Sequence, residues 1–218
     1  MIPVKHFYMI RHGQTVANLH ELMAGSLDSP LTELGIEQAI NAREVVASLA
    51  VKPVAIFHSD LSRARDTAEI INQGLNVPTF EDPDLAEIHV GELEGVPYED
   101  CKHILNGWDT TPGGESAEEF FERIKQAKIR ALNYTDEGPV LTVCHGGVMR
   151  AFGELYGISP EPMFKNAQIH EFTPHSGSHF PWRVHEYERN QGTGIISRFA
   201  SSAYVGNASA PGAETMPA

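Results

Sequence analysis

The chain has 218 residues, 29 of them acidic and 16 basic, for a formal charge of −13. That length suffices for one large domain with a substantial core, and the charge leaves no basic stripe to track nucleic acid or an anionic membrane. With two cysteines, Cys101 and Cys144, no apolar run long enough for a membrane span and no leader-like N-terminus, the expectation is a reduced cytoplasmic protein.

In chain order, residues 4–10 read as a first buried strand that stops at Arg11-His12-Gly13. A loop through Asn18 and Gly25 leads to Thr32, a helix N-cap, and to a helix from Glu33 with Ala39, Ala42, Val46 and Leu49 on one face. Residues 54–57 read as a short parallel strand, and His58-Ser59-Asp60 opens a helix that buries Leu61, Ala64, Ala68 and Ile71. A short extended piece precedes Asp82-Pro83-Asp84. Residues 85–114 are rich in Gly, Pro and acids, which predicts a loop region with one short helix near residues 99–105. Ser116-Ala117-Glu118-Glu119 fits a capping box ahead of Phe120, Ile124, Ala127 and Ala131. Residues 140–144 are the clearest central strand, followed by His145-Gly146-Gly147 and a helix over residues 148–156. Residues 169–173 and 182–187 alternate as late strands.

Alternating strands and helices imply a three-layer α/β/α sandwich with a mainly parallel central sheet. We place one domain at residues 1–197, with the cap at about 85–114, and a flexible tail at residues 198–218, where large apolar side chains are scarce. In such sheets ligands collect at the carboxyl ends of strands. Arg11-His12, residues 59–63, Glu87 and His145 all follow predicted strands or extended segments, so one cleft is expected to hold them.

Taken alone, an Arg-His-Gly triplet is most simply a strand end with solvated basic side chains. It also suits phosphate chemistry, since Arg offers a fork of donors, His is a nucleophile near neutral pH, and Gly admits close backbone approach. Arg63 falls in the first turn of its helix, where free backbone N–H groups favour an anion. Arg65 faces elsewhere and is expected to pair with Glu69 at the surface.

Four blocks carry a family resemblance: Arg11-His12-Gly13-Gln14-Thr15 with Asn18; Asp28-Ser29-Pro30-Leu31-Thr32; the run from Ser59 with Arg63-Ala64; and His145-Gly146-Gly147-Val148-Met149-Arg150. Glu87 with Gly91 and Glu94-Gly95, and Pro112-Gly113-Gly114-Glu115-Ser116, add to it. The chain resembles the histidine phosphatase, or phosphoglycerate mutase-like, superfamily. It departs in having Asp60 where many members carry Pro and Leu93 in place of an aromatic residue.

The resemblance implies that His12 accepts the phosphoryl group, that Arg11, Arg63 and His145 bind its oxygens, and that Glu87 protonates the leaving oxygen. Glu92 and Glu94 lie close enough in sequence to compete for that last role. Asn18, with Gln14, Thr15 and Ser59, is expected among the phosphate-binding or supporting groups. No metal and no cofactor is implied. The ligand is a small phosphorylated metabolite or phosphate, with no nucleic-acid or membrane partner, and a homodimer is left open.

Between Ala86 and Glu122 the only Lys or Arg is Lys102. A mutase needs extra cations to hold and re-phosphorylate a doubly anionic substrate, so hydrolysis is the first reading and a cofactor-dependent phosphoglycerate mutase the alternative. A non-catalytic phospholigand-binding protein is a second alternative, against which the intact set of site residues argues. The remaining histidines, among them His170, His175, His179 and His185, lack zinc-site spacing and are expected at the surface or in packing roles.

Overall fold

The computed structural model describes residues 1–159, 164–190 and 192–204. Its strands are β1 (Phe7–Arg11), β2 (Ala55–His58), β3 (Thr79–Glu81), β4 (Val140–Cys144), β5 (Ile169–Pro174), β6 (Trp182–Arg189) and β7 (Ile196–Ala200). They form one sheet in the order β3-β2-β4-β1-β5-β6-β7. The helices are α1 (Val16–Leu19), α2 (Glu33–Ser48), α3 (Ser62–Asn72), α4 (Tyr98–Asn106), α5 (Ala117–Asn133) and α6 (Gly146–Glu154).

Both faces of the sheet are covered, as the near-continuous apolar strands require. Phe7 and Met9 of β1 join a core with α5 and α6, through Phe120, Ile124, Val148 and Phe152. Tyr8 and Ile10 point the other way and pack with Ala42, Val46, Ala64 and Ile71 of α2 and α3. All four β1 side chains are fully buried, each contributing about 1.5–3 kcal/mol over an exposed position. Thr32 caps α2 by accepting from Gly35, and Ser116 and Glu119 form the capping box of α5.

The sheet is parallel over β3, β2, β4 and β1, the core that carries the predicted site, as the sequence reading expects, and antiparallel over β5, β6 and β7. Two boundaries differ from the sequence reading. Helix α6 starts at Gly146 rather than 148: the two glycines are its first turn, not a loop. The tail expected from 198 is built into the fold as far as Tyr204. Arg198 lies in β7, paired with β6, and Tyr204 is buried, stacked on Phe180 at 5.7 Å and donating its hydroxyl to the Met149 carbonyl at 2.8 Å. Residues 205–218 of that expectation lie outside the described residues.

A buried carboxylate, not an apolar stripe, holds β7 in place. Glu171 accepts from Arg198 at 2.8 Å, Tyr187 at 2.9 Å and His6 at 3.1 Å. Burial works against its charge, but these hydrogen bonds prevail and hold it at about 2. No described helix is long and apolar enough to cross a membrane.

The cap sits over the carboxyl ends of the parallel strands. The loop after α1 pairs with the segment leading into α4, through Met23 N–H to the Val96 carbonyl at 2.8 Å and Gly95 N–H to the Met23 carbonyl at 2.7 Å. Trp108 anchors the far side of the cap on Phe121 and Phe120 of α5.

Candidate active site

Strands β1 and β4 are parallel neighbours in register, Arg11 opposite Cys144. Each chain leaves the sheet at the same level, and His12 N–H bonds the Cys144 carbonyl at 3.0 Å. The next residue of each, His12 and His145, therefore meets the other, with ring centroids 5.1 Å apart. Strand β2 lies on the other side of β4 and delivers α3, whose first turn carries Arg63. Arg11, His12, Arg63, Glu87 and Asn18 all line one cavity of about 890 Å³, with Gly146 and Gly147 at the start of α6.

Hydrogen bonds fix the tautomers of both imidazoles. The Gly13 carbonyl can only accept, so His12 carries its hydrogen on Nδ1, 2.7 Å away, and Nε2 keeps a lone pair. Arg63 Nε can only donate, and it lies 3.2 Å from His145 Nδ1, so His145 carries its hydrogen on Nε2. That Nε2–H is buried and without a protein acceptor among the described residues, as is Arg11 Nε. Leaving such donors unmade costs about 1–3 kcal/mol each, a cost that an anion bound between them would offset.

Electrostatics agree with the geometry. Burial, then the neighbouring Arg11 and Arg63, push His12 well below the ordinary histidine value, against a smaller opposing pull from the Gly13 carbonyl. Burial and then Arg63 do the same to His145. Both rings are thus neutral near pH 7. Arg63 is 1 % exposed, and its Nη1 and Nη2 donate to the Leu27 and Gly25 carbonyls, each at 2.7 Å. Neutral acceptors hold this guanidinium, so its charge stays available to a ligand. Arg11 is held the same way, with Nη1 on the Phe164 carbonyl at 2.8 Å.

Glu87 enters from the loop after β3. Its Oε2 accepts from Gly147 N–H and its Oε1 from Ile88 N–H, both at 2.9 Å. Arg123 of α5 grips this loop by the carbonyls of Asp84, Ala86 and Glu87 at 2.7–3.0 Å. A Cβ at Gly147 would overlap the Glu87 carboxylate and push it aside, so glycine here keeps that carboxylate in place. Glu92 and Glu94 do not line the cavity. Glu94 instead accepts from Ser26 N–H at 2.9 Å and Ser26 Oγ at 2.6 Å, and lies 2.9 Å from His89 Nδ1.

Several supporting residues escaped the sequence reading. Asn166 donates Nδ2 to the His12 carbonyl at 2.9 Å and to Asn18 Oδ1 at 3.3 Å. Asn18 Oδ1 also accepts from Thr15 N–H, which leaves the Asn18 amide N–H₂ as its other polar end. Thr67 Oγ accepts from Gly13 N–H at 3.1 Å and donates to the Arg63 carbonyl at 2.7 Å, tying the end of β1 to the first turn of α3. Arg150, on α6, also reaches the cavity, so the cationic count over residues 86–122 missed a guanidinium supplied from elsewhere. A window along the chain carries no signal for Asn166 or Thr67, whereas Arg150 stands in the block that begins at His145 without a role of its own.

Other expectations are redirected. Ser59 does not line the cavity; it is fully buried and accepts from Leu61 N–H at the start of α3. Arg65 pairs with Asp66 rather than Glu69. Cys101 and Cys144 are free and buried, and burial pushes Cys144 up to about 12. Among the described residues no group of three or more His, Cys, Asp or Glu is placed to hold a metal ion.

Comparison with known proteins matches this arrangement to one family. Residues 7–186 match the model of the histidine phosphatase superfamily, branch 1. A metal-independent phosphoserine phosphatase of Arabidopsis thaliana is 32% identical over 160 residues, 68% of this chain and 67% of that one. A probable phosphoglycerate mutase of Cronobacter sakazakii is 34% identical over 149 residues, 64% of this chain and 68% of that one. The structure of a mycobacterial glucosyl-3-phosphoglycerate phosphatase superposes with a TM-score of 0.67 at 28% identity, covering 83% of this chain and 96% of that one. The chain belongs to the histidine phosphatase superfamily, branch 1, and is an enzyme of that type.

Proposed function

We propose that the protein hydrolyses phosphate monoesters of small metabolites through a phosphohistidine on His12. The observation that carries this reading is the hydrogen bond from His12 Nδ1 to the Gly13 carbonyl. It leaves the Nε2 lone pair of a neutral ring that lines the cavity with Arg11, while His145, its ring 5.1 Å from that of His12, and Arg11 each hold a buried N–H without an acceptor among the described residues.

In the first step the Nε2 lone pair attacks phosphorus and the ester P–O bond breaks. Glu87, as the carboxylic acid, transfers its proton to the departing oxygen. Arg11 Nε, the Arg63 guanidinium and His145 Nε2–H stabilise the charge on the three equatorial oxygens. In the second step water attacks the phosphohistidine and gives its proton to Glu87. The N–P bond breaks, and phosphate leaves with the acid restored. Two guanidiniums supply the positive charge and the neutral His145 ring a further N–H donor, so no metal enters the scheme.

The mutase reading gains support from Arg150 in the cavity and from the relative named a probable phosphoglycerate mutase. Hydrolysis stays ahead, because acidic side chains (Glu21, Glu99, Asp109 and Glu115) line the same cavity and disfavour a multiply charged bisphosphate. A cytoplasmic setting, without nucleic-acid or membrane partners, completes the proposal.

The test is hydrolysis of p-nitrophenyl phosphate in the presence of EDTA, alongside conversion of 3-phosphoglycerate to 2-phosphoglycerate primed by bisphosphoglycerate. Chelator-resistant hydrolysis without isomerisation is expected. Loss of hydrolysis with EDTA rejects the metal-free scheme, and fast isomerisation with feeble hydrolysis replaces it by the mutase.

A further inference from the structure

We infer that Arg150, braced on Trp108, forms a subsite for a carboxylate on the substrate's non-phosphate part; this rests on the phosphatase reading above. Arg150 sits one helical turn beyond Gly146 and Gly147, which begin α6 at the phosphate end of the cavity, and it lines that cavity with them. The helix rise sets it about 5–6 Å further along the axis, and helical side chains lean toward the N-terminus. Arg150, Glu87, Gly146 and Gly147 thus line one cavity, with Arg150 one turn beyond its phosphate end.

What holds Arg150 leaves its charge unneutralised. Its guanidinium lies 4.7 Å over the Trp108 ring, with Nη1 3.5 Å from Asn106 Oδ1. Among the described residues it makes no ion pair, although the chain carries −13 and acids line the same cavity. Those acids are engaged elsewhere where partners exist: Glu115 with Arg123 and Glu99 with Lys102. Even Glu154, one turn further along α6, accepts from Trp108 Nε1 at 3.3 Å.

Trp108 is built as a platform. Its indole N–H is fixed by Glu154, its ring meets Phe121 edge-on at 4.9 Å, and its backbone stands at φ 58°. A bulky aromatic residue in the left-handed region stores on the order of 1–3 kcal/mol of strain, and the surrounding contacts must over-determine it. The result is a guanidinium held over an aromatic face, with one long hydrogen bond from Nη1 to Asn106 and its remaining N–H groups able to donate to a carboxylate.

The experiment compares 3-phosphoglycerate with glycerol 3-phosphate, which replaces the carboxylate by a hydroxymethyl group. The chain's overall negative charge works against the more anionic ester, so a preference for it must come from a local cation. Wild-type kcat/KM is expected to favour 3-phosphoglycerate by about ten-fold or more, mostly through KM. Arg150→Gln should bring the ratio to within about three-fold, and Arg150→Lys should restore part of it.

A wild-type ratio near one overturns the subsite, with or without a folded variant. So does an equal loss on both esters in Arg150→Gln. Should the wild type turn over neither these esters nor p-nitrophenyl phosphate, the phosphatase reading fails by itself. The subsite is then decided by tryptophan fluorescence titrations with the same two phosphates, where ten-fold tighter binding of 3-phosphoglycerate supports it and equal binding rejects it.

Discussion

Arg63 and His145 are joined side chain to side chain, with the guanidinium Nε donating to the imidazole Nδ1 across 3.2 Å. One contact sets two things: the direction of a buried cation and the ring nitrogen that carries the His145 hydrogen. Arg63→Lys keeps the charge but cannot serve His145, Gly25 and Leu27 together. We expect kcat on p-nitrophenyl phosphate to fall by about 10²–10³-fold. A loss under ten-fold would show that charge alone matters at this position.

Gly147 and Glu87 give a second prediction. In Gly147→Ala the new methyl must displace the carboxylate, as Glu87→Gln removes its proton. Both variants should slow esters with poor leaving groups, such as sugar phosphates, by about 10²–10⁴-fold and p-nitrophenyl phosphate far less. Equal losses on both substrate types would remove Glu87 as the acid. Glu94→Gln should leave the dependence on leaving group as in wild type, since Glu94 is bound to Ser26 and His89 and does not itself line the cavity. It should instead lower kcat by about ten-fold, by loosening the loop whose Gly25 and Leu27 carbonyls hold Arg63.

Much of this was legible in the sequence, and the unread part has common causes. The parallel strands and helices α2, α3 and α5 announce themselves because both faces of the sheet are covered and each helix buries one stripe, as with Ala39, Ala42 and Val46. Strand β7 did not, since a buried Glu171–Arg198 pair replaces the apolar alternation that periodicity detects. The site residues next to strand ends, Arg11, His12, Arg63 and His145, could be read because sheet topology brings strand ends together. Asn166 and Thr67 reach the site across 154 and 54 residues from His12 and Gly13, distances that only the fold closes, while Arg150 follows His145 by one helical turn and only the cavity shows its place. Choosing Glu87 over Glu94 needed the Gly147 N–H and the Ser26 hydroxyl, neither visible in a run of acids.

The lowered histidines carry a pH dependence of definite sign. In the unfolded chain His12 and His145 take up protons near pH 6.5, whereas in the folded chain they do so only well below it. The unfolded state then binds more protons as pH falls below about 6.5, so stability drops in that direction. The double variant His12→Gln, His145→Gln should lose less of its denaturation midpoint between pH 7 and pH 5 than the wild type does. An unchanged slope would mean that other groups set it.

Lys128 gives the same sign in a higher window. It is fully buried, with Nζ 3.9 Å over the Phe7 ring and bonded to Thr142 Oγ1 at 3.1 Å, and burial pulls it down to about 7. The unfolded side chain holds its proton up to about pH 10.4. Stability therefore rises with pH between these values, the neutral-pH cost being on the order of 4 kcal/mol. Lys128→Met should be more stable than wild type at pH 7, and the gain should shrink by pH 9.5. Destabilisation at pH 7 would show that the Thr142 bond and ring contacts outweigh the cost of burial.

The central claim is that His12 Nε2 takes the phosphoryl group, and chemical quenching tests it most directly. The enzyme is mixed with a labelled reactive phosphate ester, stopped in alkali, and the labelled residue is mapped. The account predicts an acid-labile, alkali-stable label on His12, absent from His12→Ala and accumulating in Glu87→Gln, where water attack is slowed. A label that survives in His12→Ala, or one stable to acid, would contradict it.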